Sequence, residues 1–222
     1  MVNYLAQAIN QHLAPQGKFE YILGDGRDVR CREFVDVVVS ELIGGVGDDE
    51  NMSEILWQCT ERNLRPGGRV CPQRVEVVGA ACYWLPEDDI KIHRTVDEVK
   101  SSRGYFLEYN PARVKILEEP RTLFEIPGRG SPNCHFSWKM KIFTETLRPN
   151  GFAVWFRAKL AEEVWLTNNP NGKRTSWGLA VVPLYQEVLL KNCAELEVEF
   201  QLINSGNHTT ITQCASTPSR WK

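Results

Sequence analysis

Two glutamates, Glu41 and Glu50, stand nine positions apart in the stretch SELIGGVGDDENMSEIL, residues 40–56. Between them lie Gly44, Gly45 and Gly47 and two further acids, Asp48 and Asp49. A loop this rich in glycine can fold back and bring both glutamates to one small site. Two carboxylates facing one pocket can hold a planar cation, because a guanidinium offers five N–H donors in a fixed fork that carboxylates match bidentately. They can also do acid/base work on a neutral substrate, or bind a metal. No His or Cys lies near enough in sequence to complete a metal set, which counts against the last use. The competing reading is a solvated Gly/Asp turn with Glu41 as an ordinary strand-end residue.

The elements that must position these acids follow from local pattern. The run FVDVVVS before Glu41 is short, β-branched and without polar alternation, as in a strand buried on both faces. It ends at Glu41, and in open α/β sheets ligands bind beyond the carboxyl ends of the strands. A helix is predicted from about Ser53, a plausible cap, to residue 64, with Ile55, Leu56, Cys59 and Leu64 on its apolar face. Pro66-Gly67-Gly68 closes it, and RVEVVGAACYW (74–84) reads as a long strand. Upstream, residues 3–14 have helical spacing, and FEYILG (19–24) reads as a strand ending at Asp25-Gly26. A carboxylate there, beside a glycine, could hold an adenine amino group or a ribose hydroxyl; a plain turn is the alternative.

Residues 85–119 are charged and irregular, and His93 and Tyr109 suggest no chemistry. From Pro120 onward short alternating runs recur (TLFEI, CHFSWKMKIFTETL, GFAVWFRAKLA, EVWLTN, WGLAVVPLY, EVLL, AELEVEFQLI, HTTITQCA), separated by turn residues such as Pro149-Asn150-Gly151. That spacing predicts a barrel or sandwich. Trp138, Phe152, Trp155, Phe156 and Trp165 read as core aromatics, and residues 206–222 as a polar, frayed tail.

A chain of 222 residues can bury a substantial core, as one large or two small domains. The net charge of −2 shows no nucleic-acid footprint, while the local clustering of acids suits a cationic substrate. Seven scattered cysteines without a C-x-x-C pair fit a reducing compartment better than a disulfide framework or a zinc site. No signal pattern or membrane-length apolar run is present, so the expected location is the cytoplasm or nucleus, with neither nucleic acid nor membrane as partner. Asn207-His208-Thr209 is a formal glycosylation triplet that such a location makes a chance match.

SELIGGVGDDENMSEIL resembles the double-glutamate loop of the protein arginine methyltransferases: Ser-Glu, a glycine turn, then a second Glu nine residues on. LRPGGRVCPQRVEVVGAACYW is similar to the family's Leu-x-Pro-Gly-Gly turn and following strand, and TSWGLAVVPL to its Thr-x-Trp loop. Most members have His between that Thr and Trp; this chain has Ser176, as does the symmetric-dimethylating (type II) branch, which KIHRTVDEV and YFLEYNPARVKIL also resemble. The matches run in order from about residue 3 to 205.

The resemblance implies an α/β + β fold, a partial Rossmann-like methyltransferase domain followed by a β-barrel. It implies domains at 1–84 and 120–205, a connection and dimerisation segment at 85–119, and a tail at 206–222. It implies catalysis by Glu41 and Glu50, a substrate pocket walled by Ser176 and Trp177, and S-adenosylmethionine held by Asp25, Gly26 and Ser40. The family's Gly-rich cofactor loop and its ribose-binding acid have no counterpart here, since the chain begins on the helix after the second strand. The strand at 34–40 would then lack its neighbour and expose an apolar edge. Three readings follow: a truncated product, half of a split enzyme completed by a second chain, or association through that edge as a homo- or hetero-oligomer. The activity implied is methyl transfer to a guanidinium nitrogen of an arginine-containing protein or peptide. A non-catalytic scaffold subunit and an enzyme acting on free arginine-like molecules are the alternatives.

Overall fold

The computed structural model describes residues 22–85, 105–130, 135–142, 149–172, 175–184, 196–204 and 209–216. The helix at 3–14, most of the strand at 19–24, the EVLL run and His93 lie outside them.

The first described unit is a parallel pair. Strand β1 (Val35–Val39) leads through the acid loop into helix α1 (Met52–Asn63), which returns directly into β2 (Leu64–Cys71). The pairing is parallel, as a strand–helix–strand connection allows. Pro66-Gly67-Gly68 does not simply end the helix. It lies inside β2, where the register slips from Val35 opposite Leu64 to Val37 opposite Arg69, and Gly67 takes the positive φ of 76° that this excursion needs.

The second unit is a curled seven-stranded antiparallel sheet. Its path is β4 (Phe106–Glu108), β10 (Leu179–Pro183), β8 (Gly151–Lys159), β3 (Arg74–Trp84) and β5 (Val114–Ile116). The first half of β3 pairs with β6 (Arg121–Pro127), and the end of β8 pairs with β9 (Trp165–Thr167). β3 is thus hydrogen-bonded to β8 on one edge and to β6, then β5, on the other. A third sheet of β12 (Thr209–Ser216), β11 (Leu196–Asn204) and β7 (His135–Ile142) completes the described strands. Residues 209–216, read from their polarity as part of a tail, form β12, held by backbone pairing to β11 from Ser216 opposite Glu197 to Thr209 opposite Asn204. Their alternation, TTITQCAS, was the better guide.

Both faces of β3 and β8 are covered. On one face Val75, Val77, Phe152, Val154 and Phe156 pack with Ile43, Val46 and Met52 from the acid loop and its helix. On the other, Val78, Ala80, Trp84, Ala153 and Trp155 form a separate cluster. Phe152, Trp155 and Phe156 are core residues as predicted; Trp165 is not, being half-buried among cations on the outer side of β9. The acid loop is therefore fastened to the large sheet by its own apolar residues, and its polar groups are left to organise its tip.

Candidate functional site

The loop's four acids divide into two pairs with different employment. Asp48 is buried, and its carboxylate accepts from the Ser53 amide at 2.7 Å and the Ser53 hydroxyl at 2.6 Å. It therefore satisfies one of the unpartnered N–H groups at the start of α1. Ser53 is not the cap: the N-cap position is Asn51, in a left-handed conformation (φ 62°) with no side-chain cap bond of its own. Asp49 turns inward and accepts from the amides of Val46 (3.0 Å) and Gly45 (3.2 Å) and from the Tyr105 hydroxyl (3.0 Å). A Cβ at Gly44 would overlap the Asp49 carboxylate, so a side chain there would displace Asp49 from these bonds.

Glu41 and Glu50 are the other pair. Both side chains are at the surface. Among the described residues neither has a hydrogen-bonded or ion-paired partner. Loss of hydration against the loop, then the charge of Asp49, then that of Glu41, hold the Glu50 carboxyl above the usual range. The two glutamates thus share an electrostatic environment, and Glu50 carries a charge penalty that a cation would relieve.

A second loop lies alongside. Asn168 is buried; its carbonyl oxygen accepts from the Phe156 amide (2.8 Å), and its Nδ2 donates to Gly178 O (2.9 Å), with a longer approach of 3.5 Å to Gly45 O. That one amide links β8, the Trp177 loop and the acid loop. Trp177 is half-buried against the core, with its ring edge-on to Phe156 at 5.5 Å between centroids. Ser176 is exposed beside it. Trp177, Asn168, Thr175, Glu108 and Tyr109 line a small cleft. Sequence pattern gave no hint of Asn168, Asp48 or Tyr105, because a buried polar bridge has neither periodicity nor motif; only Asp48's place five residues before Ser53 could have flagged a cap.

The remaining predicted residues are engaged locally. Asp25 is clasped by Arg27 through Nε–H (2.9 Å) and Nη2–H (2.6 Å) and also accepts the Arg27 amide at 2.9 Å. Those bonds hold its carboxyl down at about 2. A Cβ on Gly26 would sit 3.0 Å from Ile55 of α1, so this glycine serves close packing of the helix. Ser40 extends the β1–β2 pairing by donating its amide to Cys71 O (2.8 Å), and its hydroxyl accepts weakly from Leu42 N (3.4 Å). Among the described residues no cluster of His, Cys, Asp and Glu could hold a metal ion, and no helix is long and apolar enough to cross a membrane.

Comparison with known proteins gives this geometry a context. No protein-family model matches the chain. Among curated proteins it is 26% identical over 191 residues to protein arginine N-methyltransferase 6 of Xenopus tropicalis, covering 74% of this chain and 54% of that one. It is 28% identical over 190 residues to protein arginine N-methyltransferase 5 of Oryza sativa subsp. indica, covering 78% and 28%. The chain thus spans about half the length of the first relative and little over a quarter of the second. Among solved structures, Arabidopsis thaliana protein arginine methyltransferase 10 superposes with a TM-score of 0.65 at 19% identity, covering 96% of this chain and 78% of that one. The Trypanosoma brucei PRMT1 enzyme–prozyme heterotetramer with AdoHcy does so at 0.66 and 14%, covering 94% and 76%. The described residues share the fold of these structures, part of a Rossmann-like α/β domain followed by a β-barrel, and over the matched region the sequence is related to the protein arginine methyltransferases.

Proposed function

We propose that this chain grips a guanidinium for arginine N-methylation and needs a cofactor-binding half that its described residues do not supply. The observation that carries the reading is the division of labour in the acid loop. Asp48 and Asp49 are consumed in folding it, while Glu41 and Glu50 stay without described partners, and Glu50 feels Glu41. Two such carboxylates bind a guanidinium by paired charge-assisted hydrogen bonds and concentrate its positive charge on the nitrogens they face. The third nitrogen gains lone-pair character, and fixed orientation toward an electrophilic carbon supplies much of the rate. Ser176 and Trp177, on the loop that Asn168 ties to the acid loop, would wall the substrate's approach. Ser176 favours the symmetric product.

S-adenosylmethionine, the donor the family relationship suggests, supplies a sulfonium methyl when bound. The described residues do not fit it by themselves. Asp25 is occupied by Arg27, Gly26 is closed by Ile55, and Ser40 is spent on the β1–β2 pairing. The exposed apolar face of β1, with Val37 39% and Val39 70% accessible, supports docking of a complementing segment.

Mixing this chain with a separately expressed cofactor-binding half of an arginine methyltransferase, and following labelled methyl transfer to an arginine peptide, tests the proposal. Activity is expected only in the mixture, and Glu41→Gln is expected to abolish it with the fold intact. Full activity in that variant would refute the assignment. A second reading, a non-catalytic subunit, draws on the engaged state of Asp25 and on the enzyme–prozyme pairing of the Trypanosoma relative. It predicts that the chain raises the activity of an intact methyltransferase and that Glu41→Gln leaves this effect unchanged.

A further inference from the structure

Strand β3 occupies one edge of β8 along its whole length, and the other edge is shared end to end by β9 and β10. β9 pairs with Arg157, Ala158 and Lys159, and β10 with Gly151 to Val154. Phe156 falls at the seam between them. The β10 register, with Ala180 opposite Val154, would set Gly178 opposite Phe156 if it ran two residues further. It stops short, and the buried Asn168 carboxamide stands in the gap. Its oxygen accepts from the Phe156 amide at 2.8 Å, and its Nδ2 donates to Gly178 O at 2.9 Å. The side chain thus takes the two backbone groups that would otherwise face each other across the strands. Thr167 closes the other half of Phe156, its hydroxyl donating to Phe156 O at 2.6 Å.

Hydrogen bonding alone does not call for this insertion. With a small apolar residue at 168, the Phe156 N–H and the Gly178 C=O could pair directly and lengthen the β8–β10 ladder, and neither group would be left unsatisfied. What the carboxamide adds is separation. It keeps the strands apart at the point where the Trp177 loop leaves the sheet.

Both bonds bear on Trp177. One fixes the carbonyl of the next residue, and the other fixes the backbone of Phe156, whose ring meets Trp177 edge-on. The acid loop is packed on the same peptide. A Cβ on Gly45 would lie 3.3 Å from Gly178 O, the Asn168 Nδ2 comes within 3.5 Å of Gly45 O, and Asp49 holds the Gly45 amide at 3.2 Å. We propose that Asn168 is a positioning residue for the guanidinium site, an inference that rests on Glu41 and Glu50 being the guanidinium ligands. By keeping β10 from closing on Phe156, it sets the spacing between the glutamate loop and the Trp177 ring, and with it the bulk that the substrate nitrogens can carry. An unmethylated guanidinium fits that spacing better than a dimethylated one.

The test pairs two measurements on the whole chain. Calorimetric titration follows binding of a short arginine peptide and of its dimethylarginine counterpart. Fluorine NMR of the fluorotryptophan-labelled chain follows the Trp177 resonance, assigned by its loss in Trp177→Phe. Asn168→Ala is expected to shift that resonance, to weaken the arginine peptide by about five- to tenfold, and to narrow its advantage over the dimethylated peptide. Asn168→Asp keeps the acceptor for Phe156 and loses both donations, so it is expected to move all three readings the same way. Far-UV circular dichroism and the urea midpoint check that each variant folds; should Asn168→Ala unfold, Asn168→Asp decides. Glu41→Gln is the control and is expected to lose the arginine peptide without shifting Trp177. Binding untouched by Glu41→Gln, or absent in the unaltered chain, would overturn the guanidinium reading and this inference with it. Binding lost in Glu41→Gln yet unchanged in strength and preference in the Asn168 variants would overturn this inference alone.

Discussion

β1 and β8 are both apolar strands, VDVVV and GFAVWFRAK, yet they meet different fates. On β8, every residue from Gly151 to Phe156 is buried, because the antiparallel sheet has one cluster on each face. On β1 only Val38 is buried, and Val37 and Val39 stand 39% and 70% exposed beside Phe34. Parallel strands normally lie covered on both faces, and a two-stranded parallel sheet buries too little to stand by itself. The contrast teaches that apolar sequence marks a surface that needs covering, whereas the covering must come from elsewhere in the fold or from another chain.

The sharpest way to break the comparison is to cut the covered strand. Phe152→Ala or Trp155→Ala should cost about 3–5 kcal/mol in urea unfolding, since each leaves a large void between packed elements. Asp48→Ala comes next: losing its two bonds to Ser53 at the start of α1 should cost about 1–2 kcal/mol by the same measurement. Glu50 gives a smaller, pH-dependent effect. Its folded-state pKa is raised, so the folded chain holds the proton more tightly than the unfolded one. Its contribution to stability should therefore be greatest below the ordinary glutamate value, fall as pH rises from there through the raised value, and stay level beyond. Glu50→Gln should flatten that slope in pH-dependent melts, and a persistent slope would assign it to another group. The same titration predicts that guanidinium affinity rises over that window, as Glu50 ionises. Smallest of all, Val39→Ser should change the stability of the chain alone by less than about 0.5 kcal/mol. In the presence of a complementing half it should weaken association, and an unaffected association would show that β1 is not the contact.

Much of this architecture was legible from residue order. Strand β3 was read with its bounds intact, and β1, α1, β8 and β11 within a residue or two, because each has clean periodicity or an unbroken apolar run. The short strands β4 and β5 were not found: FLE and VKI are three residues each, too brief for any period to show. The Pro-Gly-Gly segment reads as a stop because turn chemistry and a bulge inside a strand use the same residues. At the site, the glutamate spacing was readable, whereas the split between structural and available acids was not. Nothing in DDE tells which carboxylate turns inward; Tyr105 and the Ser53 amide decide it, and they meet the loop only after folding. Trp165 reads as core for a related reason. An aromatic in an alternating run looks like core until its cross-strand neighbours prove to be Lys159 and, nearby, two arginines.

Asn168 has a consequence for how the chain would respond to a visitor. Residues 45 and 178, far apart in sequence, are yoked to a single carboxamide. Pressure on either rim is therefore handed to the other, and through the Phe156 amide to the sheet behind. An incoming side chain would meet a jaw whose two lips share one hinge pin, and replacing that pin with leucine would let each lip drift independently while leaving every acid in the sequence.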